Sequence, residues 1–292
     1  MKIAIYGLKA SADQFSIFRE FFDKMDSEKI EISIFSEFKD ILKNQFPINF
    51  DNYSEFSSYS DLGSEFDFFF TFGGDGTILS AATVIQDKQI PIVGINTGRL
   101  GFLAAINSES LFDVLDDILK GDYIISSRSL ISVHSDEIEL DFPFALNEIS
   151  VTRRETTSMI TVEAWLNGEY LNNYWGDGLI VATPTGSTGY SLSCGGPIVH
   201  PKNEVFIVTA IAPHNLNIRP YIISDDSELD LKINSREGEY FLSLDSRNKP
   251  LPSNVKLHLK KAGFRLNVVV PKDLTYLTTL RDKMFWGSDK RN

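Results

Sequence analysis

The sequence predicts an α/β protein: an N-terminal domain with a parallel, Rossmann-like sheet, followed by a β-rich, β-sandwich-like C-terminal domain. Two observations lead to this fold class. Over about the first hundred residues, apolar strands alternate with helices, which is typical of a parallel sheet flanked by helices. After Leu103, short segments of alternating polar and apolar residues follow one another closely, which is typical of a mostly β domain.

The N-terminal domain opens with a strand, a helix and a second strand. The first strand covers residues 2–6, and apolar side chains between Phe15 and Met25 then recur at helical spacing. Residues 30–35 form a β-branched run that predicts the second strand. Residues 51–65 are rich in Ser, Asp and Glu, and we interpret them as a surface connection.

The alternation of strand and helix continues through the next forty or so residues. A third strand over residues 67–72 leads into a glycine-rich segment at residues 73–77. The apolar stripe between Ile78 and Ile85 predicts the next helix, and a fourth strand follows over residues 91–95.

The C-terminal domain is predicted from one amphipathic helix over residues 111–119 and a series of short strands. The strands are expected over residues 124–133, 138–142, 145–151, 159–166, 179–183, 205–212, 229–233, 240–244, 255–259 and 264–270. A final helix over residues 276–286 carries Leu277, Leu280 and Met284 on one face, and we expect it to pack back on the first domain. The predicted domains are residues 1–100 together with 272–292, and residues 101–271.

Composition restricts the partners and the compartment. The chain of 292 residues has 28 Lys and Arg against 40 Asp and Glu, and its net charge of -12 argues against nucleic acid or an anionic membrane as a partner. The single cysteine, Cys194, excludes an intramolecular disulfide and a cysteine-based zinc site, and it favours a reducing compartment. No apolar run approaches the ~20 residues of a membrane span, and the apolar N-terminal stretch is too short for a secretion signal. These observations predict a cytoplasmic protein.

The strongest local signal is the segment Gly73-Gly74-Asp75-Gly76-Thr77, between an apolar strand and an apolar helix. Open α/β sheets bind ligands at such turns, and glycines let a phosphate approach the backbone N–H groups at the helix N-terminus. Asp75 is then the side chain of the turn that can accept a proton. An alternative is a tight turn with Asp75 as the helix N-cap. The chain has no Gly-Lys dipeptide, which excludes a P-loop, and the glycine spacing is not that of a Rossmann fingerprint.

A second signal is a run of small hydroxyl residues and glycines after a strand, within residues 176–197. Its centre reads Thr183-Pro184-Thr185-Gly186-Ser187-Thr188-Gly189-Tyr190. This composition lets the backbone approach a ligand closely and supplies hydrogen-bond donors and acceptors without bulk. A Ser/Thr-rich turn would explain two or three of these residues but not the whole run. Asn147-Glu148, at the end of an apolar strand, is a weaker third signal.

In chain order, Gly73-Gly74-Asp75-Gly76-Thr77, Asn147-Glu148 and the run at residues 183–190 resemble the first, second and third sequence signatures of NAD kinases, which make NADP from NAD and ATP. Residues 94–103, 211–214, 219–220 and 280–283 are similar to further stretches of that family, so the resemblance covers nearly the whole chain. The first signature is shared with diacylglycerol and sphingosine kinases and implies only phosphoryl transfer. The third signature is the one that points to NAD.

The resemblance implies transfer of the γ-phosphoryl group of ATP to the 2′-hydroxyl of the adenosine ribose of NAD. Asp75 would accept the proton of this hydroxyl, and Mg²⁺ would bridge the ATP phosphates without a metal site on the protein itself. The candidates for phosphate binding are Gly73, Gly74, Gly76, Thr77 and Arg154, with Arg99 as a further basic group. The candidates for NAD binding are Asp75, Gly76, Asn147, Glu148, Asp177, Thr185, Thr188, Gly189, Tyr190, Ser191, Leu192, Ser193 and Ala212. The family also implies a homodimer or a homotetramer.

The chain departs from the family's pattern at a few positions. Trp175 stands two residues before Asp177, where many relatives carry an Arg that could contact a phosphate, so the preference for NAD over NADP is open. Asp245-Ser246 replaces a usual Asp-Gly pair. Two alternative functions also remain: a lipid kinase of the diacylglycerol type, which the acidic balance disfavours, and a catalytically silent dinucleotide sensor.

Overall fold

The computed structural model describes residues 1–98, 101–154 and 158–286. Its helices, in chain order, are α1 (Phe15–Ser27), α2 (Ser36–Gln45), α3 (Asp75–Ile85), α4 (Leu111–Lys120), α5 (Tyr190–Ser193) and α6 (Tyr276–Met284). None of the helices in these ranges is long and apolar enough to cross a membrane.

The strands account for most of the regular structure after α4. In chain order they are β1 (Lys2–Gly7), β2 (Glu31–Phe35), β3 (Ser54–Phe56), β4 (Phe68–Phe72), β5 (Ile92–Asn96), β6 (Ile106–Asn107), β7 (Tyr123–His134), β8 (Phe144–Ala145), β9 (Glu148–Arg153), β10 (Ile160–Leu166), β11 (Glu169–Gly176), β12 (Gly178–Ala182), β13 (Val205–Ile211), β14 (Tyr221–Ser224), β15 (Leu229–Asn234), β16 (Glu239–Leu244), β17 (Arg247–Pro252) and β18 (Lys256–Pro271). The chain divides into two compact units, residues 1–127 with 266–292, and residues 128–265. The first unit contains α6, as predicted, but it extends past α4 to residue 127, whereas the sequence placed a boundary at residue 100.

The first unit contains a parallel sheet with the strand order β5-β4-β1-β2-β3. Each of the neighbouring pairs in this order is parallel. The chain passes from β1 to β2 and β3 on one side of the sheet, and then to β4 and β5 on the other. The loops after β1 and β4 therefore separate at the carboxyl edge of the sheet, which is where open α/β sheets leave a crevice for ligands. The predicted parallel α/β fold of this unit is confirmed.

Phenylalanines of α1 form much of the core of the first unit. The helix buries Phe18, Phe21, Phe22 and Met25. Their spacing places them on one face of the helix. The ring centroid of Phe18 lies 4.7 Å from that of Phe72 in β4 and 5.2 Å from that of Phe46. Aromatic pairs at such distances contribute about 0.5–1.5 kcal/mol each beyond the burial of their area, so this cluster anchors α1 on the sheet.

Two segments of the first unit differ from the sequence-based description. Residues 36–45 form α2, which was not predicted. Residues 51–65 were interpreted as a surface connection, but they contain β3, which pairs in parallel with β2. Phe56 and Leu62 in this stretch are only 2% and 1% exposed. The segment is mostly exposed, as interpreted, but its polar residues gave no sign of the short edge strand β3 or of these two buried side chains.

The second unit is built from two sheets that enclose one core. The first sheet has the antiparallel order β14-β13-β12-β9-β16-β17. The second has the antiparallel order β11-β10-β15-β18 and also includes β7 and β8. Buried residues of both sheets, such as Val181 in β12 and Val162 in β10, belong to the same apolar cluster. The predicted β-rich, sandwich-like architecture is therefore confirmed.

Several strand predictions for the second unit require correction. Residues 138–142, predicted as a strand, form none. Residues 255–259 and 264–270 belong to one long strand, β18, and not to two. The strand β17 was missed because it contains Pro250 and Pro252, which lack a backbone N–H and are tolerated at a sheet edge, where β17 lies.

The final helix also differs from its predicted pattern. α6 belongs to the first unit, as expected, and Leu280 is buried. Leu277 is 60% exposed and does not share the buried face.

We expect Phe18→Ala to lower the free energy of unfolding by about 3–5 kcal/mol, because the substitution leaves a cavity among closely packed rings. Urea unfolding at 25 °C measures this change. Leu277→Ala, at a side chain that is 60% exposed, is the matched control and should change the same quantity by less than about 0.5 kcal/mol. Equal effects of the two variants would contradict the assigned core.

Candidate active site

A cavity opens at the carboxyl edge of the parallel sheet in the first unit. Its volume is about 640 Å³, and it is lined by residues 8–11 and Gln14 after β1, residues 72–74, 76 and 77 after β4, and residues 96–98 after β5. The loops after β1 and β4 leave the sheet where the strand order reverses, which is the usual ligand position in open α/β sheets. The predicted phosphate-binding residues Gly73, Gly74, Gly76 and Thr77 all line this cavity.

Hydrogen bonds hold the rim of the cavity together. The side-chain Nε2 of Gln14 donates to the backbone oxygen of Thr97 at 3.2 Å. The backbone N–H of Gly98 donates to Oδ1 of Asn96, a buried residue, at 2.8 Å. These hydrogen bonds give the loops after β1 and β5 defined positions.

The helix α3 begins at the glycine-rich turn. Gly74 is its N-cap, so the alternative in which Asp75 caps this helix is wrong. The positions that a Cβ atom would take at Gly74 and Gly76 have no atom within 4 Å, and both residues line the cavity. The first N–H groups of a helix attract anions, because they lack partners within the helix and lie at the positive end of its dipole. This turn is therefore suited to a phosphate group.

The Asp75 carboxylate accepts hydrogen bonds from three consecutive backbone N–H groups. Oδ2 accepts from Phe102 at 2.8 Å, and Oδ1 accepts from Leu103 at 3.0 Å and from Ala104 at 2.9 Å. A carboxylate offers about four acceptor positions, so Oδ2 keeps one for a further donor. Asp75 lies between two glycines that line the cavity, with its carboxylate held in one orientation.

We expect Gly101→Ala to destabilise the protein, because the added Cβ would lie 1.8 Å from Oδ1 of Asp75 and must displace the carboxylate from its donors. Hydrogen bonds to charged groups contribute about 1.5–3 kcal/mol, so urea unfolding should show a loss of about that size. Gly98→Ala is the matched control, because a Cβ there meets no atom within 4 Å. If both variants unfold at the same urea concentration, Gly101 does not have this role.

In the second unit, the Asn147-Glu148 pair packs against the run of small residues. The backbone N–H of Thr183 donates to the oxygen of Asn147 at 2.8 Å, and the Thr183 hydroxyl donates to the oxygen of Leu146 at 2.6 Å. A Cβ at Gly186 would lie 2.1 Å from the backbone oxygen of Asn147, so only glycine permits this approach of two backbones. The second and third sequence signals therefore form one site.

Asp245 holds the backbone of Asn147 and Glu148 in position. Its Oδ2 accepts from the N–H of Leu146 at 3.0 Å, and its Oδ1 accepts from Asn147 at 2.8 Å and Glu148 at 3.2 Å. The backbone N–H of Asp245 donates to the oxygen of Glu148 at 2.9 Å. Burial raises the pKa of the Asp245 carboxyl, and the three N–H donors and Arg247 act in the opposite direction. The sequence recorded Asp245 only as a departure from the family's pattern and gave it no role.

Two buried acceptors in this site have no hydrogen-bond partner among the described residues. They are Oδ1 of Asn147 and Oε2 of Glu148. The Tyr190 backbone N–H donates to the Glu148 carboxylate, but burial, and then the charge of Asp245, raise the pKa of Glu148 to about 7. Buried acceptors without partners are rare in proteins, and here they mark a position for the hydroxyl or amino groups of a ligand.

The raised pKa of Glu148 makes the stability of the protein depend on pH. The folded state favours the protonated carboxyl of Glu148. The free energy of unfolding is therefore highest, as far as this group is concerned, below about pH 4.5, and it falls as the pH rises to about 7. The raised pKa of Asp245 acts in the same direction. We expect Glu148→Gln, which cannot ionise, to be more stable than the wild type at pH 8 by up to about 3 kcal/mol, with a smaller difference at pH 5.

Urea unfolding at the two pH values measures this prediction. Glu169→Gln is the matched control, because the Glu169 side chain is exposed and water solvates both of its forms. A Glu148→Gln advantage that does not change with pH would contradict the assigned environment of Glu148.

Two other charged candidates of the second unit form ion pairs with neighbouring side chains. Asp177 forms an ion pair with Arg153, with a distance of 3.1 Å between Oδ2 and Nη2. Arg154, predicted to contact phosphate, forms an ion pair with Glu239. Arg99, the other basic candidate, lies outside the described residues.

The remaining candidates lie along the run of small residues and at one strained backbone position. The Thr188 hydroxyl donates to the oxygen of Thr185 at 3.3 Å, and the Ser191 and Thr209 hydroxyls are 3.0 Å apart. Gly189, Tyr190, Leu192 and Ser193 follow in the turn and in α5. Ala212 has a φ of 42°, which is uncommon for a residue other than glycine. Such backbone strain is often found where a ligand binds.

Trp175, where many relatives of the resembled family carry an Arg, packs against the ring of His214. Their ring centroids are 4.2 Å apart, and Trp175 is 46% exposed. The indole therefore presents an aromatic surface and not a positive charge at this position.

The cavity residues that the sequence did not single out include a basic one, Lys9, on the loop after β1. Its position just after the first strand could have indicated this role, because β1 is the central strand of the parallel sheet and the loop after it lies at the ligand-binding edge. Among the residues that the structure describes, no group of three His, Cys, Asp or Glu side chains could hold a metal ion.

Each unit presents its own set of groups to a ligand. The turn before α3 offers backbone donors to phosphate, and Asn147 and Glu148 offer buried acceptors to the hydroxyl and amino groups of a nucleoside. The fold and these sites define a nucleotide-binding α/β protein.

Comparison with known proteins identifies the family within this class. A family model for the ATP-NAD kinase N-terminal domain matches residues 19–123, and one for the ATP-NAD kinase C-terminal domain matches residues 146–269. An NAD kinase of Flavobacterium psychrophilum is 46% identical over the whole length of both chains. The chain belongs to the ATP-NAD kinase family.

Solved structures of that family share the fold. A crystal structure of yeast NADH kinase complexed with NADH has a TM-score of 0.87 at 22% identity, and the match covers 100% of this chain and 89% of that one. A crystal structure of an NAD kinase from Archaeoglobus fulgidus in complex with ATP has a TM-score of 0.76 at 25% identity, with 98% and 99% covered.

Proposed function

We propose that the protein transfers the γ-phosphoryl group of ATP to the 2′-hydroxyl of the adenosine ribose of NAD, giving NADP and ADP. The observation that carries this proposal is the Asp75 carboxylate, held by three backbone N–H groups beside a cavity suited to phosphate, with one acceptor position left on Oδ2. Membership of the ATP-NAD kinase family along nearly the full chain supports the same assignment.

The chemical step needs an oriented hydroxyl, a proton acceptor and neutralisation of the phosphate charge. The ribose 2′-oxygen forms a bond to the γ-phosphorus, and the bond from this phosphorus to the β,γ-bridging oxygen breaks, which releases ADP. Oδ2 of Asp75 accepts the hydroxyl proton and later passes it to water. The Gly73–Thr77 turn holds the phosphates through backbone N–H groups, and Mg²⁺ enters with ATP as part of the substrate.

Recognition of NAD is assigned to the second unit. The unpaired oxygens of Asn147 and Glu148 would accept hydrogen bonds from ribose hydroxyl or adenine amino groups. The small residues from Thr185 to Ser193 would let the dinucleotide approach the backbone, and Ala212 would lie against a base. These assignments combine the family resemblance with the geometry of Asn147 and Glu148.

Three further properties are proposed from the family resemblance. They are dependence on a divalent cation, assembly into a homodimer or homotetramer, and a cytoplasmic location. Removal of Mg²⁺ by a chelator and sedimentation of the purified protein test the first two.

The activity is tested by incubating the purified protein with NAD and Mg-ATP and measuring NADP. We expect Asp75→Asn to lower kcat by at least about 100-fold, because the amide cannot accept the proton. Asp113→Asn, at an exposed residue of α4, is the matched control and should retain the activity. Urea unfolding of both variants separates loss of chemistry from loss of fold, since Asp75→Asn also places an amide donor among N–H groups.

Wild-type protein that binds NAD tightly but forms no 2′-phosphorylated product would overturn the proposal and favour a dinucleotide sensor. A phosphorylated lipid product in place of NADP would favour the lipid kinase alternative.

A further inference from the structure

The cavity of the first unit contains one basic side chain among its described lining residues, Lys9. Lys9 lies two residues after β1, on the loop that leaves the sheet where the strand order reverses. The glycine-rich turn before α3 lines the same cavity from β4, the neighbouring strand. Lys9 and the N-terminus of α3 therefore belong to one ligand position.

The charge of the lining contrasts with that of the chain. The whole sequence has a net charge of -12, but the described lining residues include Lys9 and no carboxylate. The other polar groups of the lining are hydroxyls and amides, such as Ser11, Thr77 and Gln14. Local groups of this kind attract an anion even where the mean field of the protein is negative.

Two side chains of the lining are free to bind such an anion. Lys9 is exposed and forms no salt bridge to any described residue. Thr77 is only 7% exposed, and its hydroxyl forms no hydrogen bond within the described part of the chain. A hydroxyl without a partner on a residue that is more than nine-tenths buried in a cavity wall indicates a ligand acceptor at that position. The ammonium group and the hydroxyl are both donors, which matches a phosphate chain.

We propose that Lys9 binds the phosphate chain of the phosphoryl donor in this cavity and neutralises the charge that develops on it during transfer. The inference rests on the phosphoryl transfer proposed above and adds a basic side chain that none of the three sequence signatures contains. The ligand chemistry is a triphosphate or longer phosphate chain, carried by a nucleotide or by inorganic polyphosphate. A lysine on a loop reaches such a chain as a point charge, and Thr77 and the α3 N-terminus add directed hydrogen bonds.

Equilibrium binding to the full-length protein tests this role without turnover. Titration calorimetry with the Mg²⁺ complex of a non-hydrolysable ATP analogue, with inorganic tripolyphosphate and with adenosine compares the wild type with Lys9→Met. Methionine keeps an unbranched side chain and removes the charge. We expect Lys9→Met to weaken binding of both phosphate ligands by about 10- to 100-fold, because a charged hydrogen bond is lost, and to leave adenosine binding unchanged.

Two variants control the experiment. Lys9→Arg keeps the positive charge and should restore most of the affinity for tripolyphosphate. Lys120→Met removes an exposed lysine of α4 that does not line the cavity, and it should bind all three ligands as the wild type does. In steady-state assays, Lys9→Met should raise the KM for ATP and leave the KM for NAD unchanged.

The outcomes separate this inference from the proposed function. Unchanged binding of tripolyphosphate by Lys9→Met overturns the role of Lys9, even if the protein makes NADP. Weaker binding of both phosphate ligands supports that role, even if the wild type does not phosphorylate NAD. Comparison of the two affinities in the wild type distinguishes a nucleotide donor from polyphosphate, since only the former gains from the nucleoside.

Discussion

The structure depends on one interaction that occurs in each unit: a carboxylate held by three consecutive backbone N–H groups. Asp75 accepts from residues 102–104, and Asp245 accepts from residues 146–148. A half-buried carboxylate is stable only when such donors compensate for lost hydration. Three consecutive residues that donate their N–H groups to one carboxylate can adopt only a narrow range of backbone conformations. The catalytic candidate Asp75 and the recognition candidates Asn147 and Glu148 are therefore positioned by the same device.

The same arrangement leaves hydrogen-bonding positions open at Asp75 and at the Asn147-Glu148 pair. Asp75 retains an acceptor position because its donors use three of about four. Asp245 accepts from the backbone N–H groups of Asn147 and Glu148, while one side-chain oxygen of each is buried without a partner among the described residues. The raised pKa of Glu148 is a consequence of this arrangement, since burial and the nearby Asp245 both disfavour its charged form. The buried acceptors lower the free energy of unfolding. A ligand that donates hydrogen bonds to them would raise it.

The negative charge of the chain and its affinity for two polyanionic substrates are compatible because the relevant charges are local. Lys9, the hydroxyl of Thr77 and the helix N-terminus line the cavity, where the described lining residues carry no carboxylate. A net charge of -12 argues against a broad anionic partner surface, but it does not determine the potential inside a cavity of about 640 Å³. Mg²⁺ on the ATP phosphates would reduce the demand for further basic side chains.

Local sequence patterns specify the alternation of strands and helices in the first unit, the β-rich character of the second unit and the motifs that identify the family. These are encoded locally: the phenylalanine stripe of α1 and the glycines before α3 act within a few residues of each other. Two strands were not predicted because their local patterns are weak. In β3, polar residues precede Phe56, and β17 contains prolines, which are tolerated only at a sheet edge. The tertiary structure alone decided that Asp75 turns to residues 102–104, that Asp245 supports Asn147 and Glu148, and that Lys9 lines the phosphate cavity. Each of these relations joins segments far apart in the chain, and no periodicity or spacing within one segment specifies such a contact.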